Sequence, residues 1–108
     1  MAFYFCKLLA PRPSFPGDMT PAEAAAMQAH VAHWSRFAEA GKALVFGPVL
    51  DPAGPWGLGL LSVADEAEAR AFADGDPVVT AGLGFRYEIH PMPQLVIGRA
   101  AAPEPTPA

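Results

Sequence analysis

The chain has 108 residues, enough for one domain with a hydrophobic core of its own. A net charge of −4 and a pI near 5.1 give no basic face for nucleic acid, and no apolar run approaches the length of a membrane span. Only 17% of residues are charged, against about 25% in average globular chains, so part of the surface is expected to be covered by another subunit.

Residues 1–7 lack the basic start and long apolar region of a signal peptide, and the default expectation is a cytoplasmic protein. Phe3 to Leu9 reads as a first strand, with Phe3, Phe5 and Lys7 on one face and Tyr4, Cys6 and Leu8 on the other. Both faces are largely apolar, the pattern of a strand covered on both sides. A lone cysteine there is inert packing and forms no intrachain disulfide. Residues 11–18 hold three prolines and a glycine and predict an irregular loop.

The stretch from Thr20 to Pro48 organises the rest. Thr20 suits an N-cap, Pro21 the first helical position and Glu23 the third position of a capping box. Gly41 suits the left-handed residue that closes a helix, and Lys42 adds positive charge near that end. On a wheel of about 100° per residue, Met27, Val31, Trp34 and Ala38 form an apolar stripe with His30 on its edge and His33 toward the flank. His30 is therefore the histidine that points to the sheet, and a buried imidazole needs a hydrogen-bond partner.

Ala43 to Val49 is a second strand and Trp56 to Val63 a third. Gly57 and Gly59 alternate with Trp56, Leu58 and Leu60, which marks either relief of crowding at a bend or a place where a ligand or a second backbone approaches closely. Asp65 caps a helix over Glu66 to Ala73, and Asp76 caps a short helical turn that begins at Pro77 and stops at Gly82. Phe85 to Met92 is a fourth strand, with Phe85, Tyr87 and Ile89 on one side and Arg86, Glu88 and His90 on the other. Leu95 to Ile97 suggests a short fifth edge strand. The expected domain covers 1–99, with a disordered Pro/Ala-rich tail at 100–108.

The order strand, helix, strand, strand, helix, strand predicts an α+β, ferredoxin-like βαββαβ protomer, a four-stranded antiparallel sheet with its helices on one face. A second copy laid sheet to sheet would cover the other face and give a dimeric α+β barrel. One cysteine and three scattered histidines make a poor metal set, the glycines form no nucleotide fingerprint, and no cofactor is implied.

Taken together, His30, Gly41, Gly47-Pro48, Asp76-Pro77, Gly82 and Pro91 resemble the YCII-related family of dimeric α+β barrels over Phe3 to about Gly98. The resemblance implies a homodimer and a pocket with a histidine and an aspartate, positions that His30 and Asp76 match. Most relatives have no assigned reaction, and one branch is similar to enzymes that eliminate chloride from chloromuconolactones. A long Pro-Gly-rich loop and a hairpin at Trp56 depart from the family pattern.

On this reading Asp76 accepts a hydrogen bond from one nitrogen of His30, and the other nitrogen faces the pocket as a general acid or base. Trp34 is expected to line the substrate site, and Arg86 to hold an anionic or carbonyl group of a small-molecule ligand if its face borders the pocket. The plainer reading makes Asp76 only the cap of its own turn and His30 a core histidine. Capping does not exclude the larger role, because a carboxylate has acceptor sites to spare. Two functions follow: a cofactor-independent lyase or isomerase, or a barrel that binds a small ligand or a partner without turnover. His33 and His90 are expected at the surface.

Overall fold

Thr20 starts the long helix in the way its neighbours dictate. Its hydroxyl accepts from the Glu23 backbone N–H at 3.1 Å, and the Glu23 carboxylate accepts from the Thr20 N–H at 2.9 Å. With Pro21 in the first turn, α1 runs Pro21–Glu39. It ends in a Schellman motif: Gly41 adopts φ 76°, its N–H reaches the Ala38 carbonyl, and the Lys42 N–H reaches that of Phe37 at 2.9 Å.

The computed structural model describes residues 1–98, and the tail expected at 100–108 lies outside them. The strands are β1 (Ala2–Leu9), β2 (Ala43–Val49), β3 (Trp56–Val63) and β4 (Arg86–Met92). They form one antiparallel sheet in the order β2-β3-β1-β4. Two more helices, α2 (Glu66–Asp74) and α3 (Pro77–Thr80), precede β4. This is the expected ferredoxin-like α+β arrangement. No described helix is long and apolar enough to cross a membrane.

Register decides which side chains meet the helices. Cys6 lies opposite Gly59 and Ile89, and Tyr4 opposite Leu61, so alternate residues of β1, β3 and β4 face α1 and α2. Tyr4, Cys6, Leu61 and Val63 pack there with Trp34, Ala69 and Phe72 into the main core. A second cluster of Leu8, Phe15, Ala26, Val78 and Phe85 fills the end near α3. Phe3, Phe5, Leu9, Leu58 and Leu60 project from the other side of the sheet and are half-buried, while Val45 is 50% exposed. The β2–β3 half of that face is apolar, Lys7, Arg86, Glu88 and His90 stand on its β1–β4 half, and no described helix covers it.

Two expectations are corrected. The apolar stripe of α1 is not centred on Val31 and Ala38, which are both exposed; the inward line is Glu23, Ala26, Met27, His30, Trp34 and Phe37. The helix is thus rotated toward His30, because Trp34 and His30 both reach for a buried acceptor described below. Residues 95–97 form no fifth strand. β4 pairs only with β1, that ladder ends at Phe3 and Met92, and Pro93 brings no N–H to extend it.

Candidate active site

Asp76 is held by the turn that it begins. Its Oδ1 accepts from the Val78 N–H at 3.0 Å as the N-cap of α3, which leaves Oδ2 for distant partners. Three converge on it: His30 Nδ1 at 2.7 Å, the Tyr87 hydroxyl at 2.5 Å and Trp34 Nε1 at 3.2 Å. The carboxylate is 0% exposed, and all four of its partners donate. Burial drives its pKa upward, but the hydrogen bonds from His30, Tyr87 and Val78 outweigh that and hold it below the usual carboxylate value. Burial, and then the adjacent Asp76, push the Tyr87 phenol up, so that hydroxyl remains a donor.

An ionised carboxylate accepts only, so Nδ1 of His30 carries the proton that joins them. In the neutral ring this fixes the tautomer and leaves the lone pair on Nε2. Nε2 has no partner among the described residues, and the side chain, 12% exposed, opens onto a cavity of about 450 Å³. The volume lies within the range of small-molecule sites, about 300–1,000 Å³. The cavity sits between α1 and the β2–β3 end of the sheet, with aromatic walls that include Trp34, Phe46 and Trp56.

Trp34 joins the wall to the polar cluster. It is 2% exposed, and its indole N–H is shared between the Tyr87 oxygen at 2.9 Å and Asp76. Its six-membered ring lies directly over Gly59, where a methyl group would overlap the ring outright. The glycine at 59 thus serves neither a ligand nor a second backbone: it makes room for the side chain of Trp34.

The other sequence candidates fall elsewhere. Arg86 is exposed, opposite Leu9 on the uncovered side of the sheet, and does not line the cavity, so this face does not supply the anion anchor that was anticipated. His33 is half-buried rather than a surface group. Its ring stacks on Phe72 with centroids 4.3 Å apart, and its Nε2 lies 3.0 Å from the Phe72 carbonyl. His90 is exposed, 4.0 Å from Glu88. Cys6 is buried, which pushes its thiol up to about 12, the behaviour of packing rather than of a nucleophile. Among the described residues no three His, Cys, Asp or Glu side chains gather to hold a metal.

Tyr87 is the member of the cluster that the sequence pattern did not single out. The signal was present: it alternates with Phe85 and Ile89 on the inward side of β4, and a buried tyrosine needs a partner for its hydroxyl. The Pro-Gly-rich loop also has a role at the site. Phe15, Pro16 and Met19 line the cavity, and Arg12 ties the loop to α1. Its Nε donates to both Asp18 carboxylate oxygens at 2.9 Å, and its terminal nitrogens donate to Glu23 at 2.6 and 2.7 Å.

The family profile described as "YCII-related domain" matches residues 4–93. No curated protein matches significantly. Among solved structures, a similar fold occurs in 5-chloro-2-hydroxyhydroquinone dehydrochlorinase from Burkholderia phenoliruptrix AC1100, in complex with 2,5-dihydroxybenzoquinone. The TM-score is 0.52 at 19% identity, covering 81% of this chain and 90% of that one.

Proposed function

This chain belongs to the YCII-related family, and from that premise we propose a cofactor-independent small-molecule enzyme of lyase or isomerase type that uses His30 and Asp76 for proton transfer. The observation that carries the proposal is the 2.7 Å contact from His30 Nδ1 to a carboxylate with three further donors, which leaves Nε2 as the open polar atom at the cavity. A proton on a carbon next to a carbonyl passes to Nε2, and the positive charge on the ring faces Asp76, which stays ionised. Return of that proton at another position completes an isomerisation. Departure of an anion from the adjacent carbon completes an elimination, the type of reaction named for the dehydrochlorinase. Trp34, almost wholly buried, backs the inner wall of the cavity, and its N–H helps to keep Asp76 in place.

A second copy covers the apolar side of the sheet in this proposal, because Phe5, Leu58, Leu60 and the half-exposed Val45 have no helix over them. Sedimentation of the wild type at dimer mass, and of Leu60→Glu at monomer mass, is the expected result.

Proton transfer is tested by deuterium incorporation from solvent into cyclic ketones and chlorinated hydroquinones, with chloride release followed in parallel. His30→Ala is expected to keep its fold and dimer but lose about 10²–10⁴ in rate. A wild-type protein that binds these compounds and exchanges nothing would leave the barrel as a ligand-binding module.

A further inference from the structure

The lining of the cavity restricts its ligand more narrowly than the reaction type does. None of the lysines and arginines among the described residues lines it, and no aspartate or glutamate does. Its hydrogen-bonding side chains are few. The Tyr87 hydroxyl is taken up by Asp76 and Trp34, and the Trp34 N–H by Tyr87 and Asp76. Cys6, a weak donor, sits at the sheet floor and is 1% exposed. The Trp56 N–H is taken by Asp51, which leaves Nε2 of His30 as the one strong polar side-chain atom of the lining without a partner among the described residues.

The remaining surface is apolar and flat-sided. Trp34, Phe46, Trp56, Phe15 and Phe85 supply aromatic faces or edges, and Leu8, Met27 and Val31 fill between them. The cavity opens to solvent past Leu50, Val31 and Met19, but beside His30 its wall is apolar, and a carboxylate or phosphate seated there would lose part of its hydration with no arginine or lysine in the lining to replace it. A ring with one polar edge loses little and covers apolar wall. Size points the same way. An apolar cavity of about 150 Å³ holds benzene, and this one measures about 450 Å³.

We infer that the substrate is an uncharged, largely apolar ring compound with one hydroxyl or carbonyl edge that meets His30 Nε2. The inference rests on the proton-transfer reading only for which edge of the ring faces the histidine. Compounds bearing a fixed carboxylate are poor ligands, and the absence of Arg86 from the cavity is the structural reason.

The test compares two probes with one skeleton, 2-naphthol and 2-naphthoate, by isothermal titration of the wild-type protein at neutral pH. The expected result is that 2-naphthol binds at least about tenfold more tightly than 2-naphthoate. Equal affinities, a preference for the carboxylate, or no binding of either probe would overturn the inference. A Val31→Glu variant serves as the control for location, because Val31 is 48% exposed on the cavity lining and outside the core: a weakened 2-naphthol affinity places the probe in this cavity, and an unchanged affinity places it elsewhere and counts against the claim. The ratio of affinities is a binding quantity, so it stands or falls separately from the loss of proton exchange in His30→Ala.

Discussion

Two clusters in this molecule are built from the same kinds of group and behave differently because of where they sit. Under α1, one carboxylate, Asp76, is enclosed by four donors and is wholly shielded from solvent. At the rim of the cavity, one guanidinium, Arg12, is shared by two carboxylates, and its side chain and that of Asp18 are 31% and 50% exposed. In the dry cluster, removing the centre strands every partner, since no water replaces the lost acceptor. In the wet one, water takes the place of Arg12 at the half-exposed Asp18, while Glu23, whose side chain is 5% exposed, is its one buried arm and keeps the Thr20 N–H as a donor. Burial, more than the number of hydrogen bonds, separates a site from a clasp.

The contrast is broken or sharpened by a graded series of substitutions. The largest effect is expected for Asp76→Ala, which leaves the His30, Tyr87, Trp34 and Val78 donors without an acceptor and lowers unfolding free energy by about 3–5 kcal/mol in urea titration. Next is Gly59→Ala, where the added methyl meets the Trp34 ring; forced repacking costs about 1–3 kcal/mol and withdraws the indole N–H from Asp76. Loss of the Trp34 near-ultraviolet dichroism would accompany it. Tyr87→Phe removes one donor from Asp76 and one acceptor from Trp34, at a cost of about 1–2 kcal/mol by the same titration.

The smallest effect belongs to the rim. Arg12→Gln is expected to lower the thermal midpoint by only a few degrees, roughly, because water takes over at Asp18 and the glutamine amide still donates to the buried Glu23. Hydrogen bonds from Arg12 hold Glu23 and Asp18 down at about 2. Carboxylates lowered on folding contribute stability that is present above their ordinary values and is lost as pH falls toward the folded ones. The loop should therefore loosen between about pH 4.5 and pH 2, followed by hydrogen exchange at residues 12–19, while the neutral range stays flat. Equal losses in Asp76→Ala and Arg12→Gln would erase the distinction between the clusters.

Much of this was legible in the sequence, and for identifiable reasons. The boundaries of α1 and α3 are written in local chemistry, in Thr20, Pro21 and Glu23 and in Asp76 and Pro77, and caps act over three or four residues. The fold follows from the order of the elements and the alternation in the strands. The rotation of α1 was harder to read, because alanines dominate its flanks and contribute little to a wheel. Its orientation is set instead by two polar ends, Trp34 Nε1 and His30 Nδ1, that seek the same carboxylate 42 and 46 residues further along the chain. The side of the sheet to which Arg86 belongs was not legible, because strand alternation gives two faces without saying which one borders the cavity. Tyr87 was visible only as an inward aromatic until its hydroxyl had an address.

The central claim is that Asp76 fixes the proton on His30 Nδ1 and leaves Nε2 open to the cavity. Nitrogen-15 NMR of the imidazole reads this directly. The account predicts, for the neutral ring, a protonated Nδ1 and an unprotonated Nε2 whose resonance moves when 2-naphthol is added. A proton found on Nε2, with Nδ1 bare, would contradict it.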